Sequence, residues 1–308
     1  MGDSGGASGC PTPWGGGLTN THDPMTDAVP NTVTNLGIIA GSGRFPFMVA
    51  DGARRAGCRV TVVALHGFAD PALCGHADAF HWAGLARPGR WIRLLKKQNV
   101  CEVILAGAVK KTAMYGRFRL LRLLPDLTAL RIWFHELKDK RNDAVLAAVA
   151  DELAKHGIVM QDCTQYTRES LAPEGVLTHT KPTPAQLREA DFGWKIAKEL
   201  GRLDIGQTVA VKETEVIAVE AIEGTDRMIE RAGQLCPRGG WTLVKVAKPN
   251  QDMRFDVPTI GPETIANLAR NGAKMLVIEA ERTMLVDRDA IVAAAMREGI
   301  VIDCRSQT

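Results

Sequence analysis

The clearest apolar and polar patterning begins at Leu36. LGIIA (36–40) is an unbroken apolar run that ends in Gly41-Ser42-Gly43. Over 45–56 the apolar positions recur at helical spacing, and Gly57 closes the segment. RVTVVAL (59–65) and EVILA (102–106) are further apolar, β-branched runs, and 91–98 between them reads as a basic helix. A strand, a Gly turn, a helix and a strand at this spacing form a βαβ unit, and hence a parallel sheet. Helices are expected over 126–139 and 142–156, then a strand over 158–162 that returns to the first sheet. Residues 164–186 hold Pro173, Gly175, Pro182 and Pro184 and read as a crossover between two domains. Beyond it the pattern predicts a helix at 185–200, a hairpin from 207–212 and 216–220, a helix at 225–232 and a strand at 241–246. Next come a helix between Pro262 and Asn271-Gly272, strands at 275–279 and 284–286, a helix at 288–298 and a strand at 300–303. No internal repeat recurs at a fixed period.

The fold class expected is therefore α/β with two domains. A Rossmann-like parallel sheet is assigned to 35–164 and a smaller α/β domain to 165–308, and 308 residues suit that number. Residues 1–34 are rich in Gly, Ser, Thr, Pro and Asp and are expected to be a disordered tail. Met25 could be the true start, and MGDSGGAS superficially fits a myristoylation site.

Composition narrows the function classes. The net charge of +3 excludes a protein held to nucleic acid by bulk charge, and 5% aromatic residues are too few for base stacking to dominate. Seven cysteines without a CxxC pair argue against a disulfide framework or a zinc ribbon and for reduced thiols. The histidines form no HxH or HxxxH pair, so a His-based metal site is not expected. Neither a signal peptide nor a membrane span is evident, and a cytoplasmic protein is expected.

Five stretches could carry chemistry. The bend Gly41-Ser42-Gly43 could let backbone N–H groups approach a phosphate at a helix N-terminus, or could be a tight βα turn; Pro46 and the lack of GKS/GKT exclude a dinucleotide fingerprint and a P-loop. Lys110 and Lys111, after 102–106, could meet a phosphate or be solvated. Residues 110–141 carry nine cations against three acids, interleaved with leucines, Phe118, Trp133 and Phe134. They read as an amphipathic helix pair or as a surface for an anionic bilayer or acylated ligand. Glu220-Ala-Ile-Glu223-Gly224-Thr225-Asp226-Arg227 sets hard acids at a helix start, with Thr225 as the expected N-cap; magnesium binding and simple capping both fit. Finally, Lys245, Lys248, Gln251, Asp252, Arg254 and Asp256 cluster in one non-repetitive segment suited to phosphate and metal.

LGIIAGSGRFPFMVA (36–50), LGRLDIGQTVAVK (200–212), VEAIEGTDRMIERAG (219–233) and KPNQDMRFDVPTIGPETI (248–265) occur in this order. Together they resemble the UDP-2,3-diacylglucosamine pyrophosphatases of bacterial lipid A biosynthesis, the type unrelated to calcineurin-like phosphoesterases. The resemblance runs from about Leu36 to Cys304. It implies two α/β domains with a ligand cleft between them, hydrolysis of UDP-2,3-diacylglucosamine to UMP and 2,3-diacylglucosamine 1-phosphate (lipid X), a divalent metal such as Mg2+, and a homodimer. It places the essential acid on Asp226.

On this basis Asp226 would position magnesium or water, with Asp256 as a second metal ligand. Lys245, Lys248 and Arg254 would neutralise phosphate oxygens, with Thr225 and Gln251 beside them. Gly41, Ser42, Gly43 and Lys110 would hold the UDP side. The substrate would be an acylated nucleotide sugar, with contact at the cytoplasmic face of the inner membrane, and the apolar side of 115–134 is a candidate acyl groove. Rival readings are a nucleotide-sugar dehydrogenase or transferase and a non-catalytic UDP-lipid-binding regulator.

Overall fold

The computed structural model describes residues 35–109, 124–136, 142–249, 251–255 and 257–306. The readings made for 1–34, Lys110, Lys111 and Asp256, and the 115–123 part of the candidate acyl groove, lie outside the described residues. The chain divides into two compact units, Met1–Asp162 and Cys163–Thr308.

In the first unit five parallel strands lie in the order β3-β2-β1-β4-β5: β1 Asn35–Ala40, β2 Arg59–Leu65, β3 Ala79–Ala83, β4 Glu102–Ala106 and β5 Val159–Met160. This is a doubly wound order, and its direction of winding reverses between β1 and β4. The central strands bury almost every residue, Leu36, Ile38, Ile39, Val62, Val63 and Ile104 included, which is why they read as continuous apolar runs. Helix α1, Phe45–Arg55, has Pro46 in its first turn. Helix α2, Pro88–Lys97, buries Trp91, Ile92 and Leu95. Leu95 occupies the space a side chain at Gly37 would need, with Cδ2 2.7 Å from where a Cβ would stand.

The helix expected over 126–139 is instead a short α3, Leu127–Arg131, that passes into one π turn, Ile132–Glu136. Asp126 caps α3 by accepting from the Ala129 amide at 2.9 Å. Helix α4 is Asn142–Lys155.

In the second unit six strands take the order β6-β13-β11-β9-β7-β8. Strands β9 (Trp241–Lys245), β11 (Ala273–Glu279) and β13 (Val301–Arg305) are parallel. The hairpin β7 (Thr208–Lys212) and β8 (Glu215–Val219) joins β9 antiparallel. Strand β6, Gly175–Val176, lies antiparallel on β13, so the segment expected as a crossover contributes a strand to this unit. A separate parallel pair is formed by β10, Thr259–Ile260, and β12, Met284–Leu285.

Helix α5, Pro184–Arg202, opens with a Thr183/Gln186 capping box and buries Ala190 and Ala197 against Val209, Val244 and Val277. On the other face α6 (Thr225–Leu235), α7 (Pro262–Arg270) and α8 (Arg288–Glu298) pack Ile229, Leu268 and Ile291 against Trp241, Leu243 and Leu276. Alternate residues of β9 and β11 serve the two faces, as the two-residue period of a strand requires. Among the described residues no helix is long and apolar enough to cross a membrane.

Candidate functional site

The second unit gathers charge at the carboxyl edge of its parallel strands. Thr208, at the start of β7, pairs with Lys245, at the end of β9, and the last residue of β8 lies beside them. Glu220 leaves β8 at this edge and is 9% exposed; Lys245 is 8% exposed. Glu220 accepts from the Thr208 hydroxyl through Oε2 and from the Thr225 hydroxyl through Oε1, the latter at 2.8 Å. Lys245 Nζ donates to Thr225 Oγ1 at 3.2 Å. A buried carboxylate and a buried ammonium are thus joined through one hydroxyl. That hydroxyl is Lys245's hydrogen-bond partner among the described residues, so part of its donor capacity is free for an anion.

Thr225 is not the N-cap that the sequence suggested. Gly224, with φ 84°, caps α6, and Thr225 is the first helical residue with its hydroxyl turned to Glu220. Asp226 then stands in the first turn, exposed, where the helix dipole favours a negative charge. Its carboxylate has no partner among the described residues, while its carbonyl accepts from Asn267 Nδ2 at 3.1 Å. In the loop before α6, Glu223 is paired with Arg231 at 2.6 Å. A bond to its own amide and the Arg231 guanidinium hold the Glu223 carboxyl below the usual carboxylate range.

The other cations of the 245–254 stretch come with acids of their own. Lys248 is paired with Asp204, and its amide donates to Gln251 Oε1 at 3.1 Å. Arg254 grips Asp252 at 2.7 Å, which holds that carboxyl below its ordinary range. The fold therefore brings Glu220, Thr225, Asp226 and Lys245 to one edge, and ties Lys248, Gln251 and Arg254 into local contacts.

Several contributors escaped the sequence reading. Glu279, at the end of β11 and 1% exposed, accepts from Lys198 Nζ at 2.8 and 2.7 Å and from the Ala247 amide at 2.8 Å. Lys198 also donates to the Ala247 carbonyl at 3.1 Å. This ion pair clamps both ends of one residue in the segment that links Lys245 to Lys248. Gln207 Oε1 is buried without a hydrogen-bond partner among the described residues, next to Thr208. Gly206 packs so closely on Glu220 that a Cβ there would lie 2.1 Å from the Glu220 carbonyl oxygen.

The corresponding edge of the first unit is built differently. The Gly41 amide donates to the Ala106 carbonyl at 2.8 Å, the Ser42 amide to Ala108 at 2.9 Å, and the Ala108 amide back to Ser42 at 3.0 Å. Ser42 Oγ also donates to the Ala108 carbonyl, at 2.7 Å. Glycine at 41 and 107 lets these two turns touch: a Cβ on Gly41 would be 2.8 Å from the Ala108 oxygen, and one on Gly107, where φ is +91°, would be 2.6 Å from the Ser42 oxygen. The amides of Gly41 and Ser42 are thus spent on the neighbouring turn. At the start of α1 the amides of Gly43, Arg44 and Phe45 remain the ones that could meet a phosphate, since Pro46 has none and those of Phe47 and Met48 donate to the Arg44 carbonyl.

Magnesium takes hard oxygen ligands, keeps several waters and is often held by one or two carboxylates plus substrate phosphates. Asp226, exposed and unpaired among the described residues, fits one such ligand. No group of three or more His, Cys, Asp and Glu able to hold a metal occurs among the described residues.

Two family models match the chain: LpxI N-terminal domain over residues 35–170 and LpxI C-terminal domain over residues 173–303. The chain is also similar to "UDP-2,3-diacylglucosamine pyrophosphatase LpxI" of Caulobacter vibrioides, with 36% identity over 278 residues that cover 87% of this chain and 96% of that protein. With both units matched in order, and a relative at this identity over most of its length, the chain belongs to the LpxI family.

Proposed function

We propose that this protein is a hydrolase that splits the pyrophosphate bond of UDP-2,3-diacylglucosamine into UMP and 2,3-diacylglucosamine 1-phosphate, a step of lipid A biosynthesis. The observation that carries this reading is the buried Lys245 ammonium, one hydroxyl away from Glu220 and beside the helix start that presents Asp226. The identity with the Caulobacter vibrioides pyrophosphatase supports the substrate.

The reaction forms a bond from a water oxygen to one phosphorus and breaks the bridging P–O bond. The leaving phosphate takes the electron pair, so the site must offset growing negative charge. Lys245 serves this best, because its charge is fixed in a dry setting and is not spent on a direct carboxylate partner. Lys248 and Arg254 act as outer cations with a weaker net field, since Asp204 and Asp252 accompany them. Asp226 orients the water or the metal. Bound magnesium would add charge neutralisation at the phosphate oxygens. Asp226 would be its protein ligand, with Asp256 as a second. Gly43, with Lys110, serves the UDP side. Magnesium dependence and a homodimer belong to the same proposal.

The test is UMP release by the purified protein from the UDP-lipid, with magnesium and with a chelator. UMP formation that stops on chelation is expected. Release of UDP in place of UMP, or no turnover under either condition, would overturn the reading.

A further inference from the structure

We infer that the face formed by α2 and α3 is a docking surface for an anionic lipid bilayer. Leu127 is 85% exposed and Phe134 72%, and Leu124, Leu130 and Trp133 stand exposed around them. Leu127 and Leu130 lie three residues apart on α3, on one side of it, and Phe134 follows in the π turn. Exposed large apolar residues of this density on one short segment mark an interaction surface. The apolar side chains here stand outward.

The second component is α2. It carries Arg90, Arg93, Lys96 and Lys97, has no acidic residue, and leaves all four cations exposed. None of the four forms an ion pair with a described residue. The two helices are fastened together. The Arg90 amide donates to Asp126 Oδ2 at 3.2 Å, Arg87 Nε donates to the Leu124 carbonyl at 3.2 Å, and a Cβ on Gly89 would lie 2.6 Å from Thr128 Oγ1. Arg131 is turned away to Glu152. An outward apolar stripe beside unpaired cations is what a negatively charged headgroup layer over hydrocarbon recognises. A second copy of the chain fits worse, since a two-fold contact on this face would bring the same uncompensated cations together. The inference stands on these two helices; the proposed diacylated substrate supplies only its use.

The experiment is co-sedimentation of the full chain with vesicles of phosphatidylcholine alone and of phosphatidylcholine with roughly one-third phosphatidylglycerol. The wild type should prefer the anionic vesicles by at least ~10-fold and lose that preference at high salt. The double variant Leu127→Asp/Phe134→Asp and the triple variant Arg93→Glu/Lys96→Glu/Lys97→Glu should each cut the binding by at least ~10-fold, with far-UV circular dichroism unchanged. Equal binding to both vesicle types, or variants that bind as the wild type does, would overturn the inference. So would a fall in molecular mass of Leu127→Asp/Phe134→Asp by light scattering when the wild type binds no vesicles, which would make the face a contact between copies. UMP release from detergent-dispersed substrate should be unaffected in Arg93→Glu/Lys96→Glu/Lys97→Glu, so loss of vesicle binding and loss of turnover are separate results.

Discussion

The two sheets close their carboxyl edges by different means. In the first unit the turns after β1 and β4 bind each other through backbone groups, and glycine is needed so that they can touch. In the second unit the edge is closed by side chains: Glu220, Lys245, Glu279 and Lys198 are largely buried and linked by hydrogen bonds. The glycine bend after β1 and the Gly224 turn after the antiparallel β8 both read as strand-to-helix turns in sequence, yet one spends its amides on its neighbour while the other edge keeps fixed charges in place. Burial of charge is costly unless each group is paired. Glu279 is fully served, whereas among the described residues Lys245 meets only a neutral hydroxyl, and that imbalance separates a structural pair from a group positioned for an anion.

The largest effect expected bears on the charged edge. Glu279→Gln leaves Lys198 buried without its counter-charge and should cost about 3–5 kcal/mol of stability, read from urea melts. The double change Lys198→Met/Glu279→Leu should recover most of it; no loss in the single variant would mean that the pair is not buried as described. Next, Asp226→Ala should slow UMP release by at least ~100-fold, about 2.7 kcal/mol in barrier, while the melt stays near wild type because the side chain is exposed. Wild-type turnover in the folded variant would remove Asp226 from the mechanism.

The backbone-sealed edge is probed by glycine. Gly107→Ala combines a positive φ with a clash on the Ser42 carbonyl and should lower stability by roughly 2–4 kcal/mol. Gly43→Ala has a similar φ of +97° but open space around it, and should cost only about 1 kcal/mol. Equal losses would show that torsion, not loop contact, governs both sites.

The smallest effect is in acid. Burial pushes the Glu152 carboxyl up, but Arg131, Lys155 and His156 more than offset this, and its pKa lies below the ordinary value. The unfolded chain then takes up the proton first. Stability from this group is full above the ordinary glutamate range near about pH 4 and is lost as pH falls through the lower folded value. Glu152→Gln should therefore show a shallower loss of stability below about pH 4 in acid titrations followed by circular dichroism.

Most strands and helices were legible because their apolar runs are strong and their ends carry Gly or Pro. The strand 79–83 was missed: AFHWA is short, mixes Ala and His with aromatics, and is mostly half-buried, so neither period stands out. The helix expected over 126–139 keeps helical spacing as far as Phe134, and spacing alone does not reveal a π turn. The site was legible only in part. Asp226 and Lys245 sit in local patterns that point to chemistry, while Glu220 was noticed as an acid but not as a buried one. Lys198 and Glu279 lie 81 positions apart, each in an ordinary-looking element, and nothing local shows that they meet. Lys248 counted as an available cation because Asp204, 44 positions away, meets it only on folding, and Arg254 because Asp252, two residues before it, was read as a site acid and not as its partner.

The tight fit of Gly206 against the Glu220 carbonyl has a consequence for how this chain can vary. A single added carbon at 206 would push on the backbone of Glu220, the residue whose carboxylate holds Thr225, and through it on the lysine, without changing any polar or ionisable group. The electrostatics of this edge are thus hostage to a purely steric condition on one uncharged position.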